Sequence, residues 1–149
     1  MQPSENFYRL LKLFEGCKLS AYRCPANVVT IGWGSTINSK GNPFQMSDKI
    51  SQVDADLLLK NEVDKKAIFL NKELGKTILT QNQFDALSLF QYNCGNAAIS
   101  RSSLLRKVKV NPNDKTISDE FARWNKIKEV PSKGLTTRRA AEAKLYFTK

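Results

Sequence analysis

From Ser51 to Gly75 the chain reads SQVDADLLLKNEVDKKAIFLNKELG, with a start signal and a stop signal for one helix at its ends. Ser51 followed by Asp54 resembles a capping box, with Asp in place of the usual Glu or Gln. Gly75 suits the residue just past a helix end, where a left-handed conformation is common. One helix over most of this stretch is roughly 35 Å long at 1.5 Å per residue. The 149 residues therefore make one ordinary domain, or two small lobes that such a helix joins. At this size folding buries roughly 68–70 % of the unfolded surface, so stability does not require disulfides.

The rest of the chain carries similar punctuation. Phe7, Leu10, Leu11 and Phe14 form one apolar helical face after the N-cap candidate Ser4, and Gly16 stops that helix. Residues 28–36, VVTIGWGST, read as strand, and the turn formers of 38–43 close a small antiparallel sheet with flanking pieces near 21–24 and 44–46. Thr80 with Gln83 opens a helix that Gly95 ends. Ser102 or Ser103 opens LLRKVKV, which breaks at Asn111-Pro112. Ser118 is expected to cap DEFARWNKI, and Thr136 or Thr137 to open the last helix. Phe84, Leu87, Phe90, Leu104, Leu105, Phe121, Trp124 and Leu145 are the expected larger core. The class is α+β: a small sheet lobe over about 15–50, a linking helix over about 51–74, and a helical lobe over about 76–149 with the N-terminal helix.

Lys and Arg number 24 against 14 Asp and Glu, a net charge of +10. Such a surplus attracts polyanions: nucleic acid, or the anionic polymers of a bacterial wall. A basic surface kept for solubility is the third reading, and charge alone does not choose among them. Cys17, Cys24 and Cys94 are odd in number, so at least one thiol is free unless chains cross-link, and a reducing compartment is the simpler setting. There is no histidine, which excludes histidine metal ligands and any Ser-His or Cys-His pair. No calcium loop or zinc spacing occurs, and neither metal nor cofactor is expected. The N-terminal stretch does not read as a signal peptide, and no apolar run is long enough to span a membrane.

Chemistry concentrates in FEGCKLSAYRCPANVVTIGWGST. Glu15 lies in the last helical turn beside Phe14, where the helix dipole and the apolar neighbour both favour its protonated form. Cys24 follows in a turn and Thr30 in the strand, so a carboxyl, a thiol and a hydroxyl can converge. Glycosidic cleavage needs an acid for the leaving oxygen and, usually, a second group that handles water. Taken singly, each residue also has an ordinary reading: a solvated Glu, a packed Cys, a strand-surface Thr.

The order Glu, eight residues, Asp or Cys, five residues, Thr is met by Glu15, Cys24 and Thr30, and resembles the catalytic signature of the phage lysozymes of glycoside hydrolase family 24. The resemblance continues through TIGWGST, QNQFDALSLFQYNCG (81–95), SSLLRKV (102–108), FARWNK (121–126) and GLTTRRAAEAKLY (134–146). It implies a lysozyme-like fold and an endolysin that hydrolyses the β-1,4 bond between N-acetylmuramic acid and N-acetylglucosamine in peptidoglycan. Glu15 is then the general acid, Cys24 stands where most relatives place a water-handling carboxylate, and Thr30 helps position the water. Sugar contacts carry over to Thr36, Tyr92 and Ser103. The implied protein is a monomer that stays in the host bacterial cytoplasm until released to the wall, with peptidoglycan and not nucleic acid as its partner.

Two positions depart from the family pattern. Cys24 leaves open whether the thiol is chemical or positional, and keeps lytic transglycosylation, which needs only one acid/base carboxyl, as the alternative reaction. Ser35 replaces a common His and is expected to alter a structural ion pair. A basic nucleic-acid-binding module is the non-enzymatic alternative. Arg138, Arg139 and Glu142 are read as structural or surface residues, Trp33 and Trp124 as packing residues, and Asp54, Asp56, Glu62 and Asp64 as the solvated face of the long helix.

Overall fold

The computed structural model describes residues 1–149. In chain order its elements are α1 (Glu5–Glu15), β1 (Lys18–Arg23), β2 (Val29–Gly32), α2 (Gln52–Leu74), α3 (Gln81–Cys94), α4 (Asn96–Arg101), α5 (Ser103–Val110), α6 (Ile117–Ala122), β3 (Lys126–Ile127), β4 (Val130–Pro131) and α7 (Lys133–Tyr146). The class is α+β, with two antiparallel pairs, β1–β2 and β3–β4, among seven helices. The chain divides into two compact units: residues 8–65, and residues 1–7 with 66–149. Both divisions fall inside helices, α1 and α2.

In the 8–65 unit, β1 and β2 are joined by a tight turn. The N–H of Asn27 donates to the Cys24 carbonyl at 2.8 Å, and that of Cys24 to the Val28 carbonyl at 3.0 Å. Asn27 takes φ +61°, a left-handed value that Asn tolerates better than most residues. Tyr22 pairs with Thr30, and Arg23 with Val29. The strand is shorter than its composition suggested: β2 stops at Gly32, whose φ of +64° bends the chain. Beyond it the isolated bridges Ile31–Ser35 and Ile37–Pro43 continue the pairing, Ser20 bridges to Lys49, and 44–46 forms no strand. A Cβ on Gly32 would stand 3.3 Å from the Ala55 side chain, so α2 packs where only glycine fits easily.

The other unit is helical. Thr80 and Gln83 form a reciprocal capping box on α3, and the Ser102 hydroxyl accepts from the Leu105 N–H at 3.0 Å to start α5. Phe84, Leu87, Phe90, Leu104, Leu105 and Phe121 are almost fully buried. Phe90 meets Trp124 edge-on at 5.3 Å and Phe121 at 6.0 Å. Two helix starts differ from expectation. Helix α6 begins before Ser118, at Ile117, without a side-chain cap. Helix α7 begins at Lys133, because Ser132 caps the Leu135 N–H at 3.3 Å before Thr136 or Thr137 is reached. Short α4 and the β3–β4 pair carry too little hydrophobic periodicity to be read in advance. The β3–β4 turn places Lys128 and Glu129 at φ +47° and +67°, without a glycine to announce it.

Helix α1 is anchored at its start by Asp85 of α3. That carboxylate accepts from the Ser4 N–H at 3.0 Å, from the Ser4 hydroxyl, and from the Gln81 amide at 2.9 Å. Ser4 in turn accepts from the Asn6 N–H at 3.2 Å, as its N-cap role requires. Phe7 and Leu11 are buried along the apolar face. Gly16, at φ +63°, ends the helix directly after Glu15.

Candidate active site

Glu15, Cys24, Thr30 and Thr36 all lie in the 8–65 unit, and Tyr92 and Ser103 in the other. The helix end, the turn and the strand place the first three as follows. Glu15 is the last residue of α1 and half-buried. Cys24 follows β1 at the head of the turn, half-buried and with a free thiol. Thr30 sits within β2 and is buried.

The turn turns Cys24 into an anion site. The Val28 backbone N–H holds its thiol below the ordinary cysteine value, helped by the Ala26 N–H, the Thr30 hydroxyl and its own N–H, while burial opposes them. Thr30 has one hydroxyl proton to give. It donates to the Val28 carbonyl at 2.9 Å, yet the same hydroxyl reaches the Cys24 sulfur. A neutral thiol can therefore give its proton to Thr30 Oγ1, and a thiolate can draw the Thr30 proton to itself. Arg23, next to Cys24 in the chain, spends a guanidinium N–H on the Asn27 carbonyl at 3.2 Å, which braces the turn.

Tyr22 is the residue that sequence reasoning passed over. Its phenol is raised above the ordinary tyrosine value, first by burial, then by Glu15, then by Cys24. It therefore stands within the field of both acids and stays protonated. The signal was present: Tyr22 precedes Cys24 by two residues, which on a strand means the same face.

The Trp33 indole N–H donates to Asp56 at 2.7 Å, and the Lys12 ammonium lies 5.1 Å from the ring centre. Asp56 also accepts from Gln52 at 3.2 Å, so it ties the β2 exit to α2 rather than belonging to a purely solvated face. Ser35 is buried, and its hydroxyl oxygen has no hydrogen-bond partner.

Of the expected sugar contacts, Thr36 is exposed, and Tyr92 is half-buried with Lys66 at 5.9 Å from its ring. The Ser103 hydroxyl donates to buried Glu120, leaving its lone pairs to accept. Glu120 is held below the usual carboxylate value, chiefly by that hydrogen bond, with Lys107 at 3.2 Å adding to it.

Arg138, Arg139 and Glu142 are buried, which their hydrophilic run did not announce. Arg139 donates to Glu142 at 2.9 Å, forms a second ion-pair contact with it at 2.9 Å, and also donates to Asn93 and to the Cys94 sulfur, both at 2.8 Å. Burial pushes the Glu142 carboxyl up to about 7 against the pull of Arg139 and Arg138. This network ties α7 to the end of α3.

Glu15 thus ends α1, and Cys24 and Thr30 lie on the β1–β2 hairpin of this α+β framework. The phage lysozyme family profile matches residues 12–142. The chain is 36 % identical to an endolysin of Acyrthosiphon pisum secondary endosymbiont phage 1, with 98 % of each covered. Among solved structures, an endolysin from an Escherichia coli O157:H7 phage superposes with TM-score 0.89 at 35 % identity, covering 99 % of this chain and 94 % of that one. The muramidase domain of SpmX from Asticaccaulis excentricus does so with TM-score 0.82 at 30 % identity, covering 99 % of both.

The chain belongs to the phage lysozyme family. It is a peptidoglycan-hydrolysing endolysin.

Proposed function

We propose that Glu15 is the general acid that cleaves the muramic acid–glucosamine bond, with Cys24 and Thr30 handling the attacking water. The observation that carries this reading is the free, half-buried Cys24 thiol at the head of the β1–β2 turn beside Thr30, held below the ordinary cysteine value chiefly by the Val28 backbone. In the reaction the Glu15 carboxyl gives its proton to the glycosidic oxygen as the bond from that oxygen to the muramic acid C1 breaks. Water attacks C1, and its proton passes to the Cys24 thiolate. Glu15 is left as carboxylate and Cys24 as thiol, and exchange with solvent restores both. Thr30 serves both states, since its hydroxyl donates to a thiolate and accepts from a thiol. No metal enters this scheme; every group it uses belongs to the chain.

Thr36, Tyr92 and Ser103 are assigned to the sugars: two hydroxyls for hydrogen bonds and one ring for an apolar sugar face. The protein works as a monomer on the wall and accumulates in the host cytoplasm before release. Its three free thiols fit a reducing compartment. No helix is long and apolar enough to cross a membrane.

Glu15→Gln tests the assignment. The variant should fold as the parent does, by circular dichroism and melting, and lose turbidity-clearing activity on permeabilised bacteria. Near-full clearing would remove Glu15 from the role.

A further inference from the structure

Two serines stand side by side where α5 begins, and the helix start uses only one of them. The Ser102 hydroxyl accepts from the Leu105 N–H at 3.0 Å and donates to the Ile99 carbonyl at 2.7 Å, so its bonds go to the backbone. Ser103, the first residue of α5, is half-buried, and its hydroxyl turns to α6 and donates to Glu120. The two oxygens of buried Glu120 are divided. Oε1 faces the Lys107 ammonium at 3.2 Å, and Oε2 takes the Ser103 proton. Lys107 lies one turn beyond Ser103 on the same face of α5. It also donates to the Thr116 hydroxyl at 2.7 Å, which in turn donates to Asp114 at 2.7 Å. Arg123 adds its charge at 3.8 Å from Oε2.

This is more than α5 and α6 need in order to pack. Leu104, Leu105, Val108, Ile117 and Phe121 already bury the apolar faces of both helices. A buried ion pair gains little over apolar residues of the same volume, because taking charges out of water is costly. The carboxylate does one thing that an apolar residue or an amide cannot. Ionised, it only accepts, so a hydroxyl bonded to it must donate.

We propose that Glu120 is a positioning residue for sugar binding: by taking the Ser103 proton it makes the Ser103 oxygen a fixed acceptor, selective for a hydrogen-bond donor on the glycan. This rests on the assignment of Ser103 to the sugars. Glu120 is too buried to touch substrate and acts through Ser103. The charged groups around it, Lys107 from α5 and Arg123 from the end of α6, both keep it ionised, so the polarity of the Ser103 hydroxyl holds through the neutral range.

The test is Glu120→Gln in the full chain, with and without the Ser103 hydroxyl. In the variant Lys107 takes the amide oxygen, because an ammonium only donates. The amide nitrogen then faces Ser103 and donates to it, which turns the Ser103 proton toward the glycan. Two donors meet, and KM for a soluble peptidoglycan fragment should rise roughly 5–20-fold while kcat changes by less than about twofold. Ser103→Ala should raise KM to a similar degree, and adding Glu120→Gln to it should raise KM no further. Ser103→Thr keeps the hydroxyl and should keep the response to Glu120→Gln. A carboxylate that merely held the helices together would lower Tm, and KM would respond alike in every background.

The parent's KM in folded Glu120→Gln would overturn the proposal, as would an equal rise with and without the Ser103 hydroxyl. If Glu120→Gln does not fold, the parent residue answers instead. Fragment binding is then followed by titration calorimetry in Glu15→Gln protein, so that nothing is cleaved, with and without Ser103→Ala. The difference in Kd should shrink as pH falls through the carboxylate range and Glu120 takes up a proton. A difference that stays constant overturns the proposal. Ser103→Ala with the parent's KM is a separate failure, since it removes Ser103 from the sugars and the proposal with it.

Discussion

Helix α1 delivers Glu15, so what fixes α1 should matter to stability far from the acid itself. The anchor is Asp85, fully buried, accepting from the Ser4 N–H, the Ser4 hydroxyl and the Gln81 amide. Hydrogen bonds to a charged group are worth ~1.5–3 kcal/mol each, and donors left without a partner in a buried place add to the cost. Ser4 is only half-buried and Gln81 is exposed, so water can recover part of it. Asp85→Ala is therefore expected to cost about 3–5 kcal/mol, since three donors lose one shared acceptor. For a chain of this length that lowers Tm by roughly 6–20 °C, at about 2–4 °C per kcal/mol. Asp85→Asn keeps an acceptor of similar shape and should lose only about 1–2 kcal/mol. Urea unfolding at constant m-value measures both. A loss below about 1 kcal/mol for Asp85→Ala would refute the reasoning, because it would mean the start of α1 is secured by its apolar face alone.

Ser35→Ala removes a buried hydroxyl oxygen without a partner, and should be neutral or stabilising by up to about 1 kcal/mol in the same unfolding assay. The Glu142 carboxyl, raised to about 7 in the folded protein, binds its proton more tightly there than in the unfolded chain. Its contribution is complete below the unfolded value and is lost as pH climbs through about 7, so stability should decline by up to ~3 kcal/mol over that window, and Glu142→Gln should abolish that slope. The lowered Cys24 thiol should reach half-maximal alkylation by iodoacetamide at a lower pH than an ordinary cysteine, and Thr30→Val should return it upward. Residues 1–7 with 66–149 carry sixteen Lys and Arg against eight Asp and Glu, whereas 8–65 carry eight against six. Clearing of whole walls should accordingly weaken with added salt while cleavage of a small neutral fragment does not.

Much of the architecture was written in punctuation. Ser51 and Gly75 bounded the long helix, Thr80 with Gln83 opened α3, and Glu15 fell at the end of α1, because caps and glycine stops act locally. Ser118 and Thr136 misled for different reasons: α6 starts at Ile117 without a side-chain cap, and Ser132 caps α7 before Thr136 is reached, which only the path of the chain into each helix settles. The strand over 28–36 was cut short by Gly32, whose bend answers the close approach of Ala55, a tertiary fact.

The site itself shows the same division. The candidates Glu15, Cys24 and Thr30 were proposed from a spacing that resembles the family signature. The Val28 and Ala26 N–H groups that favour the thiolate were not, since backbone donors leave no trace in residue type. Tyr22 required the strand register. Arg138, Arg139 and Glu142 were read as structural or surface residues, because the i,i+4 spacing of Arg138 and Glu142 is equally good for a solvated pair. Only burial, with Asn93 and Cys94 completing the cage, shows otherwise.

The most direct test of the central claim is mass spectrometry of muropeptides released from purified sacculi. A Glu15 acid paired with a water-handling Cys24 predicts reducing muramic acid ends, and none after Glu15→Gln. Glycans ending in 1,6-anhydro muramic acid would contradict the account, because the sugar's own hydroxyl, and not water held by the thiol, would then have attacked.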